Sequence, residues 1–375
     1  MDYAATTPVD PRVMEAMQPY FTERFGNSAT LYSVGQEADK VLEDCRRKVA
    51  KLLGAKPSEI LFTSGGTESD NLALKGVAFA RGKGHIVTSK IEHHAVLHPA
   101  EWLEKRGFSV TYLPVDRYGT VSPESVEKAV REDTILVSVM HGNNEIGTLE
   151  PIEEIGKICR KKGVPFHTDA VQTVGKVPVN LKHVDLLSSS GHKLYGPKGV
   201  GIIFIREGTK IDPLLHGGGH EHGMRSGTEN IAGIVGYTKA LELAMKEMKT
   251  DTRKLLGYRK KLVDGLSRIP DCWLNGHPDK RLPGNVHFCF KFIEGESLIL
   301  LLDQKGIEAS TGSACSSKSL EPSHVLTAIG LKPEEAHGSL RLTMGRFTKE
   351  GDVDRVLEVL PGVVDRLRQI SPLKK

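Results

Sequence analysis

Short apolar runs separated by stretches of helical period dominate the chain between residues 60 and 205. The runs Ile60–Thr63, His85–Ser89, Ser109–Val115, Ile135–Met140, Val164–Thr168, Val184–Ser188 and Val200–Ile205 have strand length and are bounded by polar or glycine-bearing turns. Segments such as Pro123–Val130 and Ile152–Lys162 lie between them, with apolar positions recurring every three or four residues. This alternation predicts an α/β fold with a largely parallel sheet covered on both faces, and ligands of such sheets collect at the carboxyl ends of the strands. Ahead of it, residues 1 to about 35 read as irregular around Pro8, Pro11 and Pro19. A helix is expected from Glu37 to Leu53, with Val41, Leu42, Cys45 and Val49 on one face and Gly54 at its C-cap. A long helix is expected from about Ile231 to Leu256. Beyond it, Asn285–Phe290, Ser297–Asp303, Ile307–Ser310, Ser323–Ala328, Arg341–Thr343 and Asp352–Gln369 read as alternating strands and helices of a second, smaller unit.

Composition narrows the class. At 375 residues, with 39% hydrophobic and 26% charged residues, the chain has room for two domains of an ordinary globular protein. A formal charge of +4 is small for this length, and no basic run is interleaved with aromatics, so nucleic acid is not an expected partner. No apolar run approaches bilayer-spanning length and the first residues lack the pattern of a secretory signal, so neither a membrane nor export is expected. The five cysteines are odd in number and form no C-x-x-C, which suits free thiols in the cytoplasm.

The chemically unusual residues fall where the strands end. Lys193 follows the strand at Val184–Ser188 in the turn Ser190-Gly-His192-Lys193. A lysine there is either an ordinary surface residue or one dry enough to lose its proton and form a Schiff base. Ser64-Gly-Gly-Thr-Glu-Ser-Asp70 leads from a strand into a helix, so Gly66 and Thr67 either seat an anion on free N–H groups or belong to a plain turn with a Thr67/Asp70 capping box. It is neither a Walker A loop nor a dinucleotide fingerprint. His93 is a flat ring and proton carrier or a structural histidine. Asn143 and Asn144 make a tight turn or a polar lining. Asp169 at the end of a buried strand needs a cation, either a protonated pyridine nitrogen or an arginine. His216, His220 and His222 have ligand-like spacing, but the three glycines among them favour a flexible polar loop over a metal site. Cys315 sits in the small-residue loop Ala309-Ser-Thr-Gly-Ser-Ala-Cys315, an unusual place for a core cysteine and a suitable one for a nucleophile. Arg341 and Arg346 are candidates for a carboxylate fork.

A Schiff-base lysine, an aspartate for a ring nitrogen, a helix N-terminus for a phosphate, a histidine and an arginine together match the needs of pyridoxal 5'-phosphate. The chain resembles the NifS/IscS-type cysteine desulfurases over essentially its whole length. The matching blocks are Asp2-Tyr-Ala-Ala-Thr-Thr-Pro8, Thr63-Ser-Gly-Gly-Thr-Glu-Ser69, Glu92-His93, Asn143-Asn-Glu-Ile-Gly147, His167-Thr-Asp-Ala-Val-Gln172, Ser190-Gly-His-Lys193, Arg225-Ser-Gly-Thr228 and Ser313-Ala-Cys315. The resemblance implies the fold-type I aminotransferase architecture, with a seven-stranded sheet in a large domain (12–251) and a small α+β domain (252–375) on which residues 1–11 pack. It also implies a homodimer.

The same resemblance assigns roles. Lys193 would carry the cofactor and move the Cα proton, Asp169 would face the ring nitrogen, Gln172 the phenolic oxygen and His93 the ring face. Gly66, Thr67, Ser190 and His192 would hold the phosphate, with Thr228 reaching in from the other subunit, and Asn144 and Arg341 would bind the substrate carboxylate. Cys315, in a mobile loop (309–320) of the long type, would take sulfur from L-cysteine as a persulfide, leave L-alanine, and donate the sulfur to an iron–sulfur scaffold protein (U-type) or another acceptor. In such a complex Cys315 would also be a candidate cluster ligand. Selenocysteine lyase or another β-lyase is the alternative. Three departures from the family stand out. The start at Met1-Asp2 leaves a short first strand, His222 replaces a frequent arginine, and the end at Lys375 bears on how a scaffold would dock.

Overall fold

A computed structural model describes residues 1–312 and 322–372 of the chain. The expected large sheet is present, with β1 (Ile60–Thr63), β2 (His85–Ser89), β3 (Ser109–Leu113), β4 (Thr134–Ser138), β5 (Phe166–Asp169), β6 (Leu186–Ser190) and β7 (Gly201–Ile205). The seven strands run in the order β1-β7-β6-β5-β4-β2-β3. Neighbours are parallel except where β7 meets β1 and β6. Apolar side chains from both faces pack against covering helices, Val87, Val137 and Phe166 into one core and Ile86, Leu136 and Leu186 into another. This is the period-two alternation of a doubly covered sheet.

β6 begins two residues later than its apolar run and continues through Ser188, Ser189 and Ser190, all buried. The serines remain in the strand because their hydroxyls have partners inside: Ser188 lies 3.0 Å from His167 Nε2, and Ser189 accepts from the Tyr237 hydroxyl at 2.9 Å. Pattern alone reads a serine run as a turn; a hydrogen-bonded interior makes it a strand end that delivers Ser190 and Lys193 to the carboxyl edge.

Three expectations need correction. The first 35 residues are not wholly irregular, since helices form at Pro11–Met17 and Pro19–Thr22. Each starts on a proline at its first turn, and Asp10 caps the former by accepting the Arg12 N–H at 3.0 Å. The long helix does not stop near Leu256 but spans Ile231–Leu266, because Leu262 and Leu266 enter a second core. In the second unit, Ile307–Ser310 contributes only a bridge from Ser310 to Arg341, whereas Cys272–Leu274 is a strand.

That second unit holds an antiparallel sheet, β10-β9-β8, of β8 (Cys272–Leu274), β9 (Asn285–Phe290) and β10 (Ser339–Thr343). It packs against helices Gly295–Asp303 and Glu350–Ile370 around Phe288, Phe290, Leu298 and Val356. The N-terminal segment runs between the two sheets. Asp2 makes a single parallel bridge to Thr343, and the Thr7 and Asp10 amides donate to His192 and Tyr195 carbonyls at 3.0 Å.

Candidate active site

A cavity of about 390 Å³ opens at the carboxyl ends of β1, β2, β4, β5 and β6, with Gly66, His93, Asn144, Asp169 and Lys193 in its wall. Residues distant in sequence close its other side: Ala4 and Ala5, Gly312, His324 and Arg341.

Lys193 ends a tight turn, Gly191–Lys193, just past β6. Its ammonium donates to the Ala4 and Ala5 carbonyls at 2.6 and 2.7 Å and it is not a solvated surface lysine. Asp169 is buried at the end of β5 and accepts the Val171 N–H at 2.9 Å. Burial pushes its carboxyl up to about 6, against the pull of the Val171 N–H and of Lys193. Among the described residues no arginine pairs with it, so the arginine alternative is not realised.

Asp70 escaped the sequence reading except as half of a capping box, and the box does not form. The helix begins at Gly66 with Gly65 at its N-cap, and Glu68, not Asp70, turns back to accept the Ser64 N–H at 2.8 Å. Asp70 instead points inward, buried in the cavity wall, 3.6 Å from His167 Nε2 and with Oδ1 lacking a hydrogen-bond partner. Burial first and Asp169 second raise its carboxyl well above the usual carboxylate range, which favours its neutral form. The signal available in sequence was the Glu68–Asp70 spacing: only one acid at a helix start can cap it.

His93 is the N-cap of the helix His94–Glu104, its Nδ1 accepting the Ala95 N–H at 3.1 Å. Burial, then Lys193 and the neighbouring histidines, lower the ring to about 4. The ring is therefore neutral with its proton on Nε2. His192 Nδ1 lies 3.0 Å from the Thr6 hydroxyl, and burial together with Lys193 and Lys198 lowers it to about 4 as well. Thr67 and Ser190 share the wall beside it, where the helical run from Gly66 begins. Gly66 has no room for a side chain: a Cβ there would stand 2.6 Å from Val171 Cγ2.

Gln172 donates to the Ala4 carbonyl at 3.0 Å. The two asparagines divide the roles left open between them. Asn143 is the turn-former, accepting from the Glu145 and Ile146 amides, while Asn144 lines the cavity. Arg341 donates to the Asn144 carbonyl at 3.0 Å and to Asp2 at 2.9 Å. Arg346 is not a second fork at this cavity. It is paired with Asp10 at 3.2 Å and with Glu247 and Asp251 at 3.1 Å. Thr228 is exposed and does not line the cavity of its own chain. Cys315 lies outside the described residues. Among the described residues no group of three or more His, Cys, Asp or Glu side chains is arranged to hold a metal, and no helix is long and apolar enough to cross a membrane.

The class-V aminotransferase family pattern matches residues 1–356. The cysteine desulfurase IscS of Methanosarcina thermophila is 59% identical over all of this chain and 93% of its own length. Cysteine desulfurase IscS 1 of Archaeoglobus fulgidus is 52% identical over 99% of this chain and 98% of its own. The chain belongs to the class-V aminotransferases, among their cysteine desulfurases. A solved structure of a NifS-like protein superposes with a TM-score of 0.92 at 43% identity, covering 98% of this chain and 99% of that one. Another, described as SspA in complex with cysteine, gives 0.83 at 38% identity, covering 93% and 99%. The fold is therefore that of the PLP-dependent fold-type I enzymes, and this desulfurase is PLP-dependent.

Its residues fit that cofactor. Asp169, a buried carboxylate that no arginine pairs with among the described residues, and the amine of Lys193 share the cavity wall, and Gly66 keeps the helix start clear beside two hydroxyls and an imidazole.

Proposed function

We propose that this desulfurase converts L-cysteine to L-alanine by passing the sulfur to Cys315. Bound pyridoxal phosphate supplies an electron sink that makes the substrate Cα–H acidic and the Cβ–S bond cleavable. Lys193 would hold the cofactor aldehyde, and its amine would move the proton at the substrate Cα. Asp169 would set its charge against the ring nitrogen, with Asp70, whose neutral form burial favours, in the same wall. Gln172 would turn an N–H toward the phenolic oxygen. Gly66, Thr67, Ser190 and His192 would receive the phosphate, and the neutral His93, with an Nε2 proton to give, would serve the ring face. Arg341 and Asn144 take the substrate carboxylate. The Cys315 thiolate attacks the substrate sulfur, an S–S bond replaces the Cβ–S bond, and Cβ gains a proton as alanine leaves.

One observation carries this reading. The segment that contains Cys315 is flanked by Gly312 and His324, and both flanks are in the wall of the cavity that holds Lys193. Replacing Cys315 with alanine is the test. Release of alanine and sulfide from L-cysteine is expected to collapse, and undiminished turnover would reassign the protein to the β-lyases that act without such a thiol. The exposed Thr228 suits a homodimer in which it reaches the partner's phosphate site. An iron–sulfur scaffold protein is the acceptor that IscS-type relatives point to, in the cytoplasm, where the cysteines stay reduced; Cys45, Cys159, Cys272 and Cys289 are all unpaired.

A further inference from the structure

Behind Gln172 lies a lysine with no part in the chemistry above. Gln172 and Lys176 sit four residues apart on one helical turn, with the Val177 N–H bonded to the Thr173 carbonyl at 3.0 Å. The Lys176 ammonium reaches up to Gln172 Oε1 at 3.0 Å, while Gln172 Nε2 donates to the Ala4 carbonyl at 3.0 Å. The same Ala4 carbonyl accepts from Lys193 at 2.6 Å. An ammonium only donates and a backbone carbonyl only accepts, so these two neighbours leave the amide one orientation.

We propose that Lys176 is a positioning residue whose ammonium holds the oxygen of Gln172 away from the cofactor, so that the amide presents an N–H to the cavity. This rests on the reading that Gln172 serves the cofactor's phenolic oxygen. Without Lys176 the amide can turn over and set a carbonyl against that oxygen, two acceptors face to face. The surroundings make the lysine an unusual choice for support alone. It is half-buried between the two sheets, where Tyr3, Tyr195, Asp251 and Arg346 line the same small cavity. Burial, then Lys193 and Arg341, lower its ammonium to about 7. An amide or an aliphatic side chain would fill the position without that desolvation; the protonated lysine, the form present below about 7, is the donor-only group that fixes the flip.

The test is the visible absorption of the pyridoxal phosphate-loaded protein, titrated with pH in the absence of substrate. Loss of a donor at the phenolic oxygen leaves its charge less stabilised, and the nitrogen joining Lys193 to the cofactor keeps its proton to higher pH. Gln172→Ala and Lys176→Met are each expected to raise the spectral midpoint by about 0.5 to 1 pH unit. Lys176→Arg, still donor-only, is expected to hold it near wild type. Lys176→Met added to Gln172→Ala is expected to shift it no further. Should Lys176→Met melt early, Lys176→Ala removes the same donor and carries the same expectation. If Gln172→Ala leaves the midpoint in place, the reading of Gln172 fails. If it moves the midpoint and the lysine variants do not, the positioning role alone is overturned. An equal shift from Lys176→Met with or without Gln172 also overturns it, since the lysine would then act by charge through space.

Discussion

Arg341 and Asp2 meet at 2.9 Å, tying the second residue of the chain to β10 at the edge of the cavity. The pair leaves Arg341 Nε buried without a hydrogen-bond partner, a donor still to be used. Lysine cannot reproduce the planar fork, so Arg341→Lys is expected to raise KM for L-cysteine about 10- to 100-fold with a smaller change in kcat. Asp2→Ala removes the group that aims the guanidinium and is expected to raise KM about 3- to 10-fold. A KM at or below wild type for Asp2→Ala would show that Asp2 only competes with the substrate carboxylate.

The two buried acids in the cavity wall make opposite predictions. Burial raises the Asp70 carboxyl well above its ordinary value and favours its neutral form, so Asp70→Asn is expected to keep the cofactor spectrum and to change kcat less than about threefold. Asp169→Asn removes the charge itself, and a loss of about 100-fold or more in kcat is expected. Steady-state rates of the two cofactor-loaded variants decide the matter; equal losses would mean that the pair shares its charge.

Glu92 offers a pH test of stability. It is fully buried, and burial raises its carboxyl to about 8, against the Ser89 hydroxyl and Met140 N–H that both bond Oε1. Its pKa is higher folded than unfolded, so the folded state binds the extra proton and the stability it contributes is lost as pH rises from about 4.5 to about 8. Glu92→Gln keeps the Oε1 acceptor and removes the titration. Urea unfolding of wild type and variant is expected to show the variant gaining on the wild type across that window; parallel curves would mean that Glu92 is ionised in the fold.

Arg46 and Glu221 form a buried pair at 2.7 Å, each side chain 2% exposed. Arg46 also donates to the Ile60 carbonyl, and Glu221 also accepts the Phe62 N–H at 2.9 Å. Removing either partner strands a charge in the interior, and Arg46→Met or Glu221→Leu is expected to cost about 3 to 5 kcal/mol in chemical denaturation. The double replacement is expected to recover much of that loss. Because Glu221 anchors the loop that leads to Thr228, the single variants are also expected to weaken cofactor retention if Thr228 serves a second subunit.

How much of this was legible beforehand follows from the range of each interaction. The seven large-sheet strands were visible because a doubly covered sheet writes an apolar run at every strand. The extension of the long helix to Leu266 was not, since its last turns pack on residues such as Val356 that lie far along the chain. That Lys193, Asp169 and His93 would line one cavity was legible because strand ends in this topology face one crevice. Arg346 was misread as a ligand fork because sequence shows an arginine's fork but not the three acids that already fill it. Asp70 and Lys176 went unread for the converse reason, as their roles arise from what surrounds them in space.

The helix Ile231–Leu266 places Ile234 and Leu241 in the core of the large sheet and Leu262 and Leu266 in that of the small one. At 36 residues it is a beam about 54 Å long. Rotating one sheet away from the other has to bend that beam and rupture its backbone ladder. Jaw-like opening of the crevice between the two sheets is thereby disfavoured.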